Sequence, residues 1–152
     1  MKREAWRDIR KLGKDLTTRE FTFMKDLLYI NIEHGRFTMP THLHERLRQK
    51  YITMDDVINT IDRGEIIEVH IIDYSFRVLL RLQKEGTCKD VCVVVELCNG
   101  VVVTAFTNQS SDKHDTLKLE LYDDDLDVID LWHECMKNKG WLCGKSRRYV
   151  GN

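Results

Sequence analysis

The apolar positions along this chain change their period near residue 64. Before it they recur every three or four residues, and after it they alternate. In residues 4–16, Ala5, Ile9 and Leu12 stand at helical spacing with Trp6 and Leu16 alongside, which predicts a short amphipathic helix ending near Gly13. Thr17 followed by Glu20 has capping-box spacing and predicts a second helix that stops at Gly35. That helix carries Phe21, Met24 and Leu28 on one stripe and Phe23, Leu27 and Ile30 on another. Burial on nearly all sides is expected, although its LLYINI part could equally form a strand. Pro40 suits a first helical turn, capped by Thr38 or Thr41, with Leu43 and Leu47 as the apolar seam. Thr53 with Asp56 then opens a helix whose Met54, Val57, Ile58 and Ile61 share one face and whose stop is Gly64.

Four strands follow, over 65–72, 74–83, 90–98 and 101–107. The Asn99–Gly100 pair between the last two predicts a type I′ hairpin, since such a turn needs two positive φ angles. The VCVVV run is apolar throughout, as suits a central strand buried on both faces. Alternation puts Arg77 and Arg81 on one face of their strand. TLKLELY, 116–122, is a candidate fifth strand, and the acidic run that follows caps a helix over 124–138. The expected fold class is α+β: N-terminal helices, a four- to five-stranded mainly antiparallel sheet, and a C-terminal helix. The expected organisation is an N-terminal helical extension (1–35), an α+β core (36–115), and a strand, helix and basic tail packed on that core (116–152).

Composition supports a folded core: 42% of the 152 residues are hydrophobic, with only one proline and eight glycines. Twenty-four basic and 25 acidic residues nearly cancel, so any contact with nucleic acid must come from local patches. Basic residues gather in 1–20, in 36–50 and in KSRRY (145–149), whereas 123–130 is acidic. The cysteines, at 88, 92, 98, 135 and 143, form no CxxC pair and follow no secretory signal, so reduced thiols and a cytoplasmic location are expected. No apolar run is long enough to span a membrane.

The candidate chemistry lies in THLHERLRQK, 41–50. On a helix His42, Glu45, Arg46, Gln49 and Lys50 are joined by steps of three and four residues and share one side. An imidazole, a carboxylate and two cations are what cleavage of RNA by its own 2′-hydroxyl uses. A base removes the 2′ proton, a cation steadies the phosphorane, and an acid protonates the leaving 5′ oxygen, with no metal or cofactor needed. A solvated helix face has the same composition. Cys88, Cys92, Cys98 and His114 can be drawn as a metal site, but their spacing is irregular. His133–Glu134 lacks the second histidine of a metalloprotease motif.

The pattern H-x-x-E-R-L-x-x-K-x-I-T from His42 to Thr53, then D-V-I-x-x-I-x-x-G-E-I-I-E, then V-V-V-E-L and V-V-V-T-A-F, resembles an uncharacterised bacterial and phage domain family. That family occurs in mobile elements, toxin–antitoxin loci and polymorphic toxins. It is similar in layout to the RelE and MqsR ribonuclease toxins of the barnase, EndoU, colicin and RelE group. The resemblance covers residues 36 to about 107. It implies a RelE-like sheet, with His42 and Arg46 at the expected histidine and arginine and Thr104 at the polar position of the last strand. Lys50 stands where a second arginine is usual, Tyr51 where glycine is frequent, and Phe106 leads into TNQSSDKH in place of a proline-containing end.

The first expectation is therefore a metal-free RNA endonuclease of the toxin or mobile-element type. Its catalytic residues are His42, Glu45, Arg46 and Thr104, with Lys50, Arg77 and Arg81 holding RNA, and an antitoxin or host protein is a candidate partner. The second is a non-catalytic phage or mobile-element protein that binds a host protein or nucleotide with the same fold. A basic cleft joining His42 to Arg77 and Arg81 favours the first, and arginines on the face opposite helix 41–50 favour the second.

Overall fold

A computed structural model describes residues 9–33, 37–72, 75–112 and 122–137. The fold is α+β: helices on one face of a five-stranded antiparallel open sheet, with a C-terminal helix. The order is β1 (Ile9–Leu12), a single 3-10 turn (Gly13–Asp15), α1 (Thr18–Glu33), α2 (Thr41–Gln49), α3 (Met54–Arg63), β2 (Glu65–Ile72), β3 (Ser75–Gln83), β4 (Lys89–Glu96), β5 (Val101–Gln109) and α4 (128–137). Strands neighbour one another in chain order, so the sheet is a meander.

Cross-strand partners share a face, and the register sorts the side chains into two sets. Val69 faces Val78, which faces Val95, which faces Val102; Ile66, Leu80, Val93 and Ala105 form the parallel row. These side chains meet Met24 and Leu28 of α1, Leu43 and Leu47 of α2, Val57 and Ile61 of α3, and Leu131 and Trp132 of α4 in one core. Trp132 meets Phe76 edge-on, ring centres 5.3 Å apart. Arg77, Arg81, Cys92, Glu96 and Thr104 point from the opposite face.

The expected capping box at Thr17 and the expected helix start at Thr53 both hold, the second also as a capping box. Thr17 Oγ1 accepts from Glu20 N while Glu20 Oε1 accepts from Thr17 N, and Thr53 and Asp56 reciprocate in the same way. Other expectations are corrected. Residues 9–12, expected in a helix, form the edge strand beside β2, so the N-terminal segment is not a purely helical extension. The spacing of Ile9 and Leu12 misled because Lys11, a charged residue, faces the core and is matched there by Glu20. LLYINI is helical, but α1 is not buried all round, since Phe21, Tyr29 and Ile30 are exposed. Only one stripe of an outer helix can reach the sheet. Pro40 itself is the N-cap of α2, and neither Thr38 nor Thr41 caps it by side chain.

The β4–β5 connection is not a two-residue type I′ turn. The first strand stops short, at Glu96 in place of 98, while the second begins at Val101 as expected, and Gly100 N donates to Glu96 O across a four-residue turn. Gly100 takes φ 71°, Asn99 does not go positive, and the Glu96 carboxylate holds the turn by accepting from Cys98 N. The C-terminal helix begins at 128, not 124. The candidate strand 116–122 lies outside the described residues except for Tyr122, which bridges Arg10 in parallel. Trp6, His114, Trp141, Cys143 and the basic tail also lie outside them.

Candidate functional site

Two attachments align α2 with the outer edge of β5. At one end Thr38 bridges the edge: Thr38 N donates to Gly100 O at 3.0 Å, and Val102 N donates to Thr38 O at 2.8 Å. At the other, Lys50 Nζ donates to Ala105 O at 3.3 Å. The α2 axis spans about 13 Å, as do the strand residues from Val101 to Ala105, so the helix runs beside the strand between its two anchors. These attachments also occupy Gly100 O, Val102 N and Ala105 O on an edge whose open backbone groups would template aggregation.

Only Leu43 and Leu47 of α2 are buried, and every polar residue of the helix is exposed. Helical geometry divides those polar residues about the Leu43–Leu47 seam. One flank carries His42, Arg46 and Lys50, and Lys50 shows that this flank is the one turned to β5. The crest carries Glu45 and Gln49. The far flank carries His44 and Arg48 and leads to Tyr51 and Met54. Among the described residues, the side chains of His42, His44, Glu45, Arg46 and Arg48 hold no hydrogen-bond or ion-pair partner.

The remaining sequence candidates are elsewhere. Arg77, Arg81 and Thr104 project from the sheet face opposite the helices. Arg81 is 7% exposed; its Nε donates to Asp90 Oδ2 at 2.6 Å, its Nη2 to Gln109 O at 3.0 Å, and Ser110 secures the other Asp90 oxygen. It is a staple joining β3, β4 and the end of β5. Arg77 Nε donates to Ser75 Oγ, which in turn donates to Glu96. The structure therefore brings His42, Glu45, Arg46 and Lys50 together on α2 and leaves Thr104, Arg77 and Arg81 behind the sheet. No basic cleft joins the two groups among the described residues.

Sequence reading passed over the far flank. His44 and Arg48 stand at i and i+4, and with Leu47, Tyr51, Ile52 and Met54 they border an open depression of about 370 Å³. The available signal was Tyr51, since the α2–α3 turn calls for glycine at that point. Cys92 is fully buried opposite Arg81, and burial pushes its thiol up to about 11. The carboxylates of Asp123, Asp124 and Asp125 approach within 4.8 Å of one another but are all exposed, an arrangement common without an ion.

Residues 39–107 match the family described as Domain of unknown function (DUF4258), less than half of the chain. The match spans α2 to the middle of β5, the unit in which α2 is laid along the edge strand. No curated protein and no solved structure matches the chain. Among the described residues no helix is long and apolar enough to cross a membrane.

Proposed function

We propose that this chain acts on RNA through α2, as a metal-free endonuclease of the toxin or mobile-element kind. The observation that carries this reading is the open polar face of the helix: α2 exposes two imidazoles, His42 and His44, and two guanidinium groups, Arg46 and Arg48, with no hydrogen-bond or ion-pair partner among the described residues. His42, flanking β5, serves as acid or base, with Glu45 on the crest as the alternative proton acceptor. Arg46, four residues on, meets the phosphorane charge. Lys50 positions a phosphate, as a point charge where arginine would offer a fork. The resemblance to RelE and MqsR toxins supports the same assignment of His42 and Arg46.

A second reading rests on a separate observation. Arg77 and Arg81 lie on the face opposite α2, and Arg81 is consumed by Asp90, so neither can hold RNA at the α2 flank. A non-catalytic phage or mobile-element protein that binds a host protein or nucleotide fits that division.

Induced expression of wild type and of His42→Ala, with total RNA resolved from each culture, separates the two. Growth arrest and RNA cleavage that both vanish in the variant establish the nuclease. Healthy cells with intact RNA in both cultures overturn it and leave the binding reading.

A further inference from the structure

The turn between α2 and α3 holds a tyrosine in a conformation that disfavours it. Ile52 N donates to Leu47 O and Tyr51 N to Arg48 O, the two bonds of a Schellman ending, and Tyr51 takes the left-handed position with φ 59°. Glycine adopts that φ freely, whereas a side chain there is strained by its own Cβ. Lys84 Nζ, donating to Tyr51 O at 3.1 Å, holds the peptide in place. The ring does nothing for the core, being 85% exposed.

Around that ring the surface has a particular chemistry. Tyr51 and the half-exposed Met54 border the depression on the α3 side, and His44 and Arg48 border it on the α2 side. Two carboxylates follow Met54 in the first turn of α3: Asp56 is engaged by Lys84 at 3.1 Å and by the Thr53 cap, and Asp55 is exposed. An aromatic plane beside a guanidinium and an imidazole complements a base next to phosphate, because any base can stack on a ring while its backbone meets the arginine's charge and the imidazole's hydrogen bonds.

We propose that the depression seats one base of single-stranded RNA, stacked on Tyr51, with the adjoining phosphates on Arg48 and His44. This rests on the RNA reading above and extends it: the strand crosses α2, so that the flank facing β5 works on a linkage a few nucleotides along from the base held at Tyr51.

The test is fluorescence anisotropy with a labelled 2′-O-methyl single-stranded oligonucleotide, which lacks the free 2′-hydroxyl and cannot be cut. Tyr51→Gly suits the fold's own φ, so the variant folds, and a thermal melt verifies that. Wild type should bind, Tyr51→Gly should bind about ten-fold more weakly, and Tyr51→Phe, which keeps the plane, should match wild type. Arg48→Ala should flatten the dependence of log Kd on log salt by about 0.7. Unchanged affinity in Tyr51→Gly, or no binding by wild type, overturns the seat. Displacement by a nucleoside monophosphate as effective as by the unlabelled strand makes the occupant a free nucleotide and overturns the strand. Cleavage of unmodified RNA that is lost only in His42→Ala keeps the nuclease standing even where the seat fails.

Discussion

Lys11 of β1 and Glu20 of α1 meet inside the protein, Nζ to Oε1 at 2.9 Å, with exposures of 3% and 4%. The pair also gathers chain from elsewhere: Lys11 Nζ donates to Leu126 O, and Val128 N donates to Glu20 Oε2. One buried ion pair thus joins the edge strand, the first long helix and the start of α4. Removing one partner leaves the other charge buried and unpaired. Lys11→Met is expected to cost about 3–5 kcal/mol in urea denaturation, and Lys11→Met with Glu20→Leu to recover most of it.

The same pair sets an acid limit. Burial alone would raise the Glu20 carboxyl, but Lys11 and the N–H groups of Thr17 and Val128 outweigh it and hold it below its ordinary 4.5. A depressed carboxylate contributes stability that is present above the ordinary value and lost as pH falls below it through the folded-state value. Melting temperature should therefore decline as pH drops below 4.5, and Glu20→Gln, less stable at neutral pH, should flatten that decline. A parallel decline in both proteins would refute the assignment.

Stability and binding should separate at Tyr51. Relieving its left-handed strain, Tyr51→Gly should stabilise the fold by about 0.5–1 kcal/mol, net of glycine's greater chain entropy. A melting temperature raised by a few degrees, alongside weakened oligonucleotide binding, is the expected combination. A lowered melting temperature would mean the ring supports the turn.

Gly13 has no room for a side chain. A Cβ there would stand 1.8 Å from Ile66 O, beside the irregular pairing of β2 at Ile66–Glu68. Gly13→Ala should cost about 3 kcal/mol, through overpacking against backbone that cannot rotate away. Chemical denaturation gives the value directly.

Thiol chemistry should be equally uneven. Cys88 is exposed, whereas Cys92 is fully buried with its thiol pushed up to about 11. Since the thiolate is the nucleophile, an alkylating reagent at pH 8 should modify Cys88 in the native protein and reach Cys92 only after unfolding. Mass spectrometry of the peptides distinguishes the two.

Elements whose cause is local were legible in the chain. Thr53, Asp56 and Gly64 bracket α3 by capping chemistry that needs no other segment. Alternation marks the strands on either side of β4 because one face of each is drier, and the unbroken apolar run marks β4 because both its faces are buried. The exposed cluster on α2 was legible for the same reason, since Leu43 and Leu47 alone set which side is turned out. What depends on segments far apart in sequence was not. Lys11 reads as a surface residue until Glu20 arrives to neutralise it, so the first strand passed for a helix. Arg77 and Arg81 share a face by alternation, yet only the packing of α2 and α3 over Val78 and Leu80 decides that this is the face turned away from His42. Arg81 changes from ligand-gripping candidate to structural staple through Asp90, nine residues on but reached diagonally across the strand pair. Periodicity records which positions want water, and the tertiary structure decides which charges find one another.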